Sequence, residues 1–174
     1  TRSFDTAGRL AALRAGMRWS DSSSYSDLFE SRLVYDTRDR IAGVELGSMW
    51  LYDYADTYTY DPAGRLATWG RTGAGATSAT YAWDAAGNLT SKTQGGTTTA
   101  FASDADDRLV SATTGSSVTT YTHDLYGRRT SAASPSGTTT YGWNPLGQLT
   151  SVTTPQSTSV YSYGPTGMRE KAVV

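Results

Sequence analysis

A fixed spacing constrains this chain more than any other feature. Asp84, Asp104, Asp124, Asn144 and Gly164 stand 20 residues apart. Gly87, Asp107, Gly127, Gly147 and Gly167 keep the same spacing three places on. Tyr81, Phe101, Tyr121, Tyr141 and Tyr161 keep it three places before. A period of this length means an array of small supersecondary units that bury their faces against one another.

The centre of each unit is a turn. Asn144-Pro145-Leu146-Gly147 and Asp61-Pro62-Ala63-Gly64 show its chemistry. Asp or Asn at the first place bonds the backbone ahead of it, and Pro at the second has its φ already near the required value. Gly at the fourth takes φ > 0 and makes the bulge of a three-residue hairpin loop. Asp39 and Asp107 stand in for that Gly, since Asp is among the non-glycine residues that best tolerate the left-handed region. The structural turn series is therefore Asp5 with Gly8, Asp36, Asp61 with Gly64, Asp84 with Gly87, Asp104, Asp124 with Gly127, Asn144 with Gly147, and Gly167. The flanks alternate with period 2, as strands do. A second turn, such as Gly95-Gly96, Gly115-Ser116 or Pro135-Ser136-Gly137, closes the unit.

The first turn is Phe4-Asp5-Thr6-Ala7-Gly8-Arg9-Leu10, followed by a strand expected over Arg9 to Trp19 and a loop at Asp21-Ser22-Ser23-Ser24. The second, at Asp36, lies 31 residues on, the third 25 further, the fourth 23 further, and then the spacing locks at 20. Ala42 to Tyr54 reads as a long hairpin turning near Gly47-Ser48, with a helix disfavoured by Gly47. Eight turns imply about sixteen strands and almost no helix. The domain reading is one array over 1–174, irregular over 1–80 and regular over 81–174. The opening Thr1 and the uncapped end at Val174 lead us to expect a piece of a longer chain. Along the strands Tyr58 and Tyr60, Tyr81 and Trp83, and Tyr141 and Trp143 share a face, with small residues between them on the other. The fold class is thus all-β: tandem antiparallel β-hairpin repeats in a strongly curved sheet, part of a shell or barrel-like wall.

Formal net charge is -1, so no bulk attraction to nucleic acid or anionic membrane is expected. Cys is absent, which excludes disulfides and thiolate metal sites. No apolar run is long enough for a membrane-spanning helix. A calcium reading of the Asp series fails because the turns already occupy each carboxylate. Asp104, Asp106 and Asp107 form the densest acidic group, without the Gly and Glu spacing of an EF-hand. His123 is the only His and holds the place of Trp83 and Trp143, so it is read as part of the aromatic row. A Ser-His-Asp or zinc site is not credible with one His and no Cys. The aromatics are read as the core, since aliphatics are few. The serious alternative is a glycan- or choline-binding module in which Tyr60, Trp83, Trp143 and Tyr163 stack on the ligand.

The segment Tyr58-Thr59-Tyr60-Asp61-Pro62-Ala63-Gly64-Arg65-Leu66 resembles the signature of the RHS or YD-repeat family. The stretches beginning at Phe4, Tyr81 and Tyr121 look like further copies, so the resemblance covers nearly the whole chain. It implies hairpin repeats that spiral into a hollow shell in large secreted or cell-surface proteins. In bacterial members the shell encloses a toxic C-terminal domain, and relatives act in cell–cell contact. Gly164-Pro165-Thr166-Gly167-Met168 departs from the family's shell-closing D-P-x-G-L pattern, so no autoproteolytic site is carried over. The expected function is a non-catalytic wall module without cofactor or metal. Its expected partners are the remainder of its own shell and an enclosed polypeptide cargo, with glycan as the alternative.

Overall fold

The computed structural model describes residues 1–18, 25–47 and 53–173. The expected loop at Asp21 to Ser24 lies outside them, as do Ser48 to Tyr52 of the expected long hairpin. Every element described is a strand or a turn. The strands are β1 (Arg2–Phe4), β2 (Leu10–Arg18), β3 (Tyr25–Tyr35), β4 (Ile41–Gly47), β5 (Tyr54–Tyr60), β6 (Leu66–Gly73), β7 (Thr77–Trp83) and β8 (Leu89–Gln94). They continue as β9 (Thr97–Ser103), β10 (Leu109–Thr114), β11 (Ser117–His123), β12 (Arg129–Ser134), β13 (Gly137–Trp143), β14 (Leu149–Thr153), β15 (Thr158–Tyr163) and β16 (Arg169–Val173). Sheet order is chain order from β1 to β16, so the sheet is an open antiparallel meander. The connections between strands run from two to six residues, which permits nothing else: parallel neighbours need crossovers of a dozen residues or more.

Two compact units divide the chain, one of residues 1–82 and 92–96 and the other of residues 83–91 and 97–174. In the first, β2 and β3 pair over seven positions, and β5 and β6 over seven. Here the only buried charged side chain among the described residues is found. Asp56 is 6% exposed, and Arg71 on the neighbouring strand grips it twice, Nε to Oδ1 at 2.7 Å and Nη2 to Oδ2 at 2.6 Å. The Arg71 guanidinium lies 3.8 Å from the Tyr54 ring centre and 5.8 Å from that of Trp69. Those hydrogen bonds from Arg71, working against burial, hold the Asp56 carboxyl below the usual carboxylate range.

In the second unit the hairpins repeat almost unchanged. Thr99, Phe101 and Ser103 of β9 are half-buried, while Ala100 and Ala102 between them are exposed. The alternation recurs in β11, where Thr119, Tyr121 and His123 are half-buried and Thr120 and Thr122 exposed. Cross-strand hydroxyl pairs tie the small-residue face, Thr122 to Ser131 at 2.7 Å for example.

The aromatics do not form a core. Among the described residues the buried apolar side chains are Ala12 and Ala79, and no large side chain is fully buried. The correction has a simple cause. Tyr35, Tyr60, Trp143 and Tyr163 reach toward the preceding hairpin along their own sheet, and each stays half-buried.

Candidate functional site: the rim turns and the seams between hairpins

All eight turns along one rim share one geometry. The N–H of the fourth residue donates to the carbonyl of the first at 2.9–3.3 Å, and the N–H of the first donates to the carbonyl of the fifth at 2.8–3.0 Å. The fourth residue is left-handed throughout, with φ of 85° at Gly64, 101° at Gly87, 76° at Gly127 and 79° at Gly147. Asp39 and Asp107 adopt the same conformation, at φ of 61° and 60°. Each described pairing then shifts register after the turn. The residue before the Asp faces the fifth residue after it, and the sixth is extra. That one-residue bulge bends the strand and adds local twist.

The side chain of the first residue does two jobs. Its Oδ1 accepts the N–H of the residue four places on, at 2.8–3.0 Å, in Asp5, Asp36, Asp61, Asp84, Asp104, Asp124 and Asn144. Its Oδ2 accepts Nε of the Arg at that same place, at 2.6–2.8 Å, in the turns of Arg9, Arg40, Arg65, Arg108 and Arg128. The Asp carboxyls are accordingly held below the usual range. In Asp5, Asp36, Asp61, Asp84 and Asp104 the backbone N–H four places on is the largest cause. In Asp124 partial desolvation opposes the shift most strongly, and the hydrogen bonds from Arg128 outweigh it. In the eighth turn Gly164 has no side chain, and the backbone closes the turn alone.

Sequence reasoning read the Asp as a turn-maker and missed its Arg partner. The signal was present: 13 Arg against 2 Lys, with Arg four places after the Asp in five of eight turns. An Arg fork can hold a carboxylate and still present a flat face to a ring, which an ammonium cannot do.

That flat face closes the seams between hairpins. Neighbouring hairpins pair through the backbone only as far as the seventh residue after one Asp and the fourth before the next: Ala12 with Arg32, Gly43 with Thr57, Ser111 with Thr120, Ser131 with Thr140, Ser151 with Val160. Toward the rim, side chains take over. The aromatic just before a turn donates to the carbonyl five residues after the preceding turn's first residue. Tyr35 bonds Leu10, Tyr60 bonds Ile41, Trp143 bonds Arg129 and Tyr163 bonds Leu149, all at 2.7–2.9 Å. The turn Arg of the preceding hairpin lies against the same ring: Arg9 4.4 Å from the Tyr35 centre, Arg40 4.2 Å from Tyr60, Arg128 5.7 Å from Trp143.

A second tie joins turn to turn. Arg9 pairs with Asp39, Arg38 donates to the Pro62 carbonyl, Arg128 to the Asn144 carbonyl, and Gln148 to the Gly167 carbonyl. Where Ser103 replaces the aromatic, the facing residue is Asn88, which reaches Asp107 Oδ1 at 2.7 Å instead. The adjacent Arg128 and Arg129 serve different partners. Arg128 holds Asp124, and Arg129 lies 4.3 Å over the Tyr121 ring.

Of the four side chains considered for ligand stacking, Tyr60, Trp143 and Tyr163 are half-buried with their polar tips bonded to the preceding hairpin, and Arg40 occupies a face of Tyr60. Trp83 is half-buried as well. Among the described residues no three His, Cys, Asp or Glu side chains are placed to hold a metal ion.

Comparison with known proteins agrees with this repeat architecture. Among solved structures, a TcdB2–TccC3–Cdc42 crystal structure superposes with a TM-score of 0.64 at 15% identity, over 99% of this chain and 12% of that one. A TcdB2–TccC3 structure without its hypervariable C-terminal region gives 0.63 at 15%, with the same coverage. The chain thus spans about an eighth of the length of these neighbours, 12%. No curated protein matches it significantly. The Teneurin YD-shell family model matches residues 1–170, and on that match this chain belongs to the YD-shell family.

Proposed function

We propose that this chain is a stretch of non-catalytic shell wall in an exported or cell-surface protein, and that the shell encloses a polypeptide cargo such as a toxic C-terminal domain. One observation carries the reading: within the YD-shell family, this stretch has strands in abundance and no large side chain fully buried among the described residues. A sheet of this kind is a partition, and its work is to separate two spaces. The rim supports the same view. Leu125 is 100% exposed and Tyr126 and Leu146 are each 83% exposed, apolar surface of the kind a larger assembly covers. The remainder of the shell is the partner that fits.

Protease protection in the full-length protein tests this. The segment following the repeats should survive digestion there and be cut rapidly when made alone. Equal cutting in both settings overturns the enclosure reading. The glycan or choline alternative has less support, because the rings it needs already serve the seams. Saturable quenching of tryptophan fluorescence by choline or a glycan, abolished in Trp143→Ala, would favour it.

A further inference from the structure

Two of the eight rim turns carry Asp where the others carry Gly at the fourth place, and both carboxylates are gripped from the hairpin before. Arg9 Nη1 donates to Asp39 Oδ1, and Asn88 Nδ2 donates to Asp107 Oδ1 at 2.7 Å. Each donor stands at the fifth place of the preceding turn and also holds the Asp of its own turn, Asp5 or Asp84. Before Gly127, Gly147 and Gly167 the fifth-place side chain takes another partner. Arg108 turns back to Asp106 of its own loop, Arg128 takes the Asn144 carbonyl and Gln148 the Gly167 carbonyl. Before Gly64 the outcome differs. Arg40 matches Arg9 in holding its own Asp through Nε, at 2.8 Å against 2.7 Å, and in lying over the next hairpin's Tyr, 4.2 Å against 4.4 Å from the ring centre. The two arginines part at Nη1. That of Arg9 meets Asp39, whereas that of Arg40 is buried with no hydrogen-bond partner. It lies 3.6 Å from where a Cβ on Gly64 would stand.

We propose that the fourth place of a rim turn is a receiving position for the preceding hairpin, that Asp39 and Asp107 are clasps there rather than substitutes for glycine, and that Gly64 leaves the Arg40 donor open. Asp carries a strain in the left-handed region that Gly avoids. The bond from the preceding hairpin offsets that strain. Its size is limited, because the Asp39 side chain is 76% exposed and the clasp acts as a surface ion pair. At Gly64 the rim keeps the donor and lacks the acceptor. A Cβ there stands at ordinary contact distance from Arg40 Nη1, and a carboxyl group on that Cβ reaches hydrogen-bond range. The fourth place thus sets which neighbour a hairpin fits: a turn with Arg or Asn at its fifth place takes a following turn with a carboxylate at its fourth. The inference concerns how hairpins select their neighbours and stands apart from what the wall encloses.

Two double-mutant cycles, read by urea melts of the whole chain at neutral pH and low salt, test it. Asp39→Gly removes strain and clasp together. A mere substitute for glycine would give the same change in stability with or without its Arg. As a clasp, Asp39→Gly should be less favourable in wild type than in Arg9→Gln by about threefold in the folding equilibrium constant, the size of an exposed ion pair. Gly64→Asp should show the converse, being more favourable in wild type than in Arg40→Gln by about the same factor. Where an arginine variant fails to fold, salt replaces it. Between about 0.05 and about 1 M NaCl, wild type should lose ground to Asp39→Gly, and Gly64→Asp should lose ground to wild type. Additive behaviour in either cycle, or no change of these differences with salt where salt is the readout, overturns the proposal.

Discussion

Gly147 shows what a single turn position costs and why. Its φ is 79°, and nothing lies within 4 Å of where a Cβ would stand. Substitution there meets no neighbour, so any loss is backbone strain alone. Gly147→Val should destabilise by about 1–2 kcal/mol, the cost of a left-handed residue with a Cβ. Gly147→Asp should lose clearly less, because Asp39 and Asp107 already occupy this conformation. Urea melts that rank the two variants the other way would refute the account. The turn carboxylates yield a second expectation. Their folded-state values are lowered. A lowered value contributes stability that is present above the unfolded carboxylate range, near 3.9, and is lost as pH falls through the folded values. Global acid unfolding should therefore begin below about pH 4. Asp104→Asn, which copies Asn144, keeps the Oδ1 acceptor and should reduce the stability difference between pH 5 and pH 3. An unchanged acid profile would place the sensitivity elsewhere.

Hairpins were legible as elements because each turn is written in contiguous residues. Asp61-Pro62-Ala63-Gly64 states its own φ angles, and period-2 flanks do the rest. The seams were not legible, because their partners lie one hairpin apart. Nothing local to Tyr163 says that its hydroxyl ends on Leu149, 14 residues away. The alternation of Tyr81 with Trp83 identified the aromatic face correctly, yet suggested a core, since sequence shows which residues share a face and not what lies opposite. Asp56 was invisible for the same reason, its partner Arg71 being 15 residues on. Two variants test these cross-strand links. Tyr163→Phe removes one hydrogen bond and keeps the ring, so it should cost about 0.5–1.5 kcal/mol and raise exchange at Leu149 and Tyr163. Arg71→Met strands a buried carboxylate and should cost about 3 kcal/mol, at the low end for a broken buried pair because Arg71 itself stays partly in water. A neutral Arg71→Met variant, measured by urea melts, would mean that the Asp56 pair contributes nothing net.

Among the described residues, neighbouring hairpins meet through a backbone ladder, at four seams reinforced by a ring lock and a turn tie, and little is shared in a common interior. Stability in such an array is close to a sum of unit terms and nearest-neighbour terms. That form has a measurable consequence. Trp143 and Tyr163 lock successive seams on either side of one hairpin, β13 with β14, through Arg129 and Leu149. Losing the first lock loosens the strands on which the second depends. Trp143→Phe combined with Tyr163→Phe should therefore depart from additivity by 0.5 kcal/mol or more, as expected for residues coupled through shared structure. Tyr60 locks β5 to Ile41 and shares no hairpin and no hydrogen-bond partner with Tyr163. Tyr60→Phe combined with Tyr163→Phe should add to within about 0.3–0.5 kcal/mol. Chemical denaturation of the three single and two double variants beside wild type supplies both cycles. If the distant pair couples as strongly as the adjacent pair, the hairpins answer to a common core, and the picture of a wall held seam by seam fails.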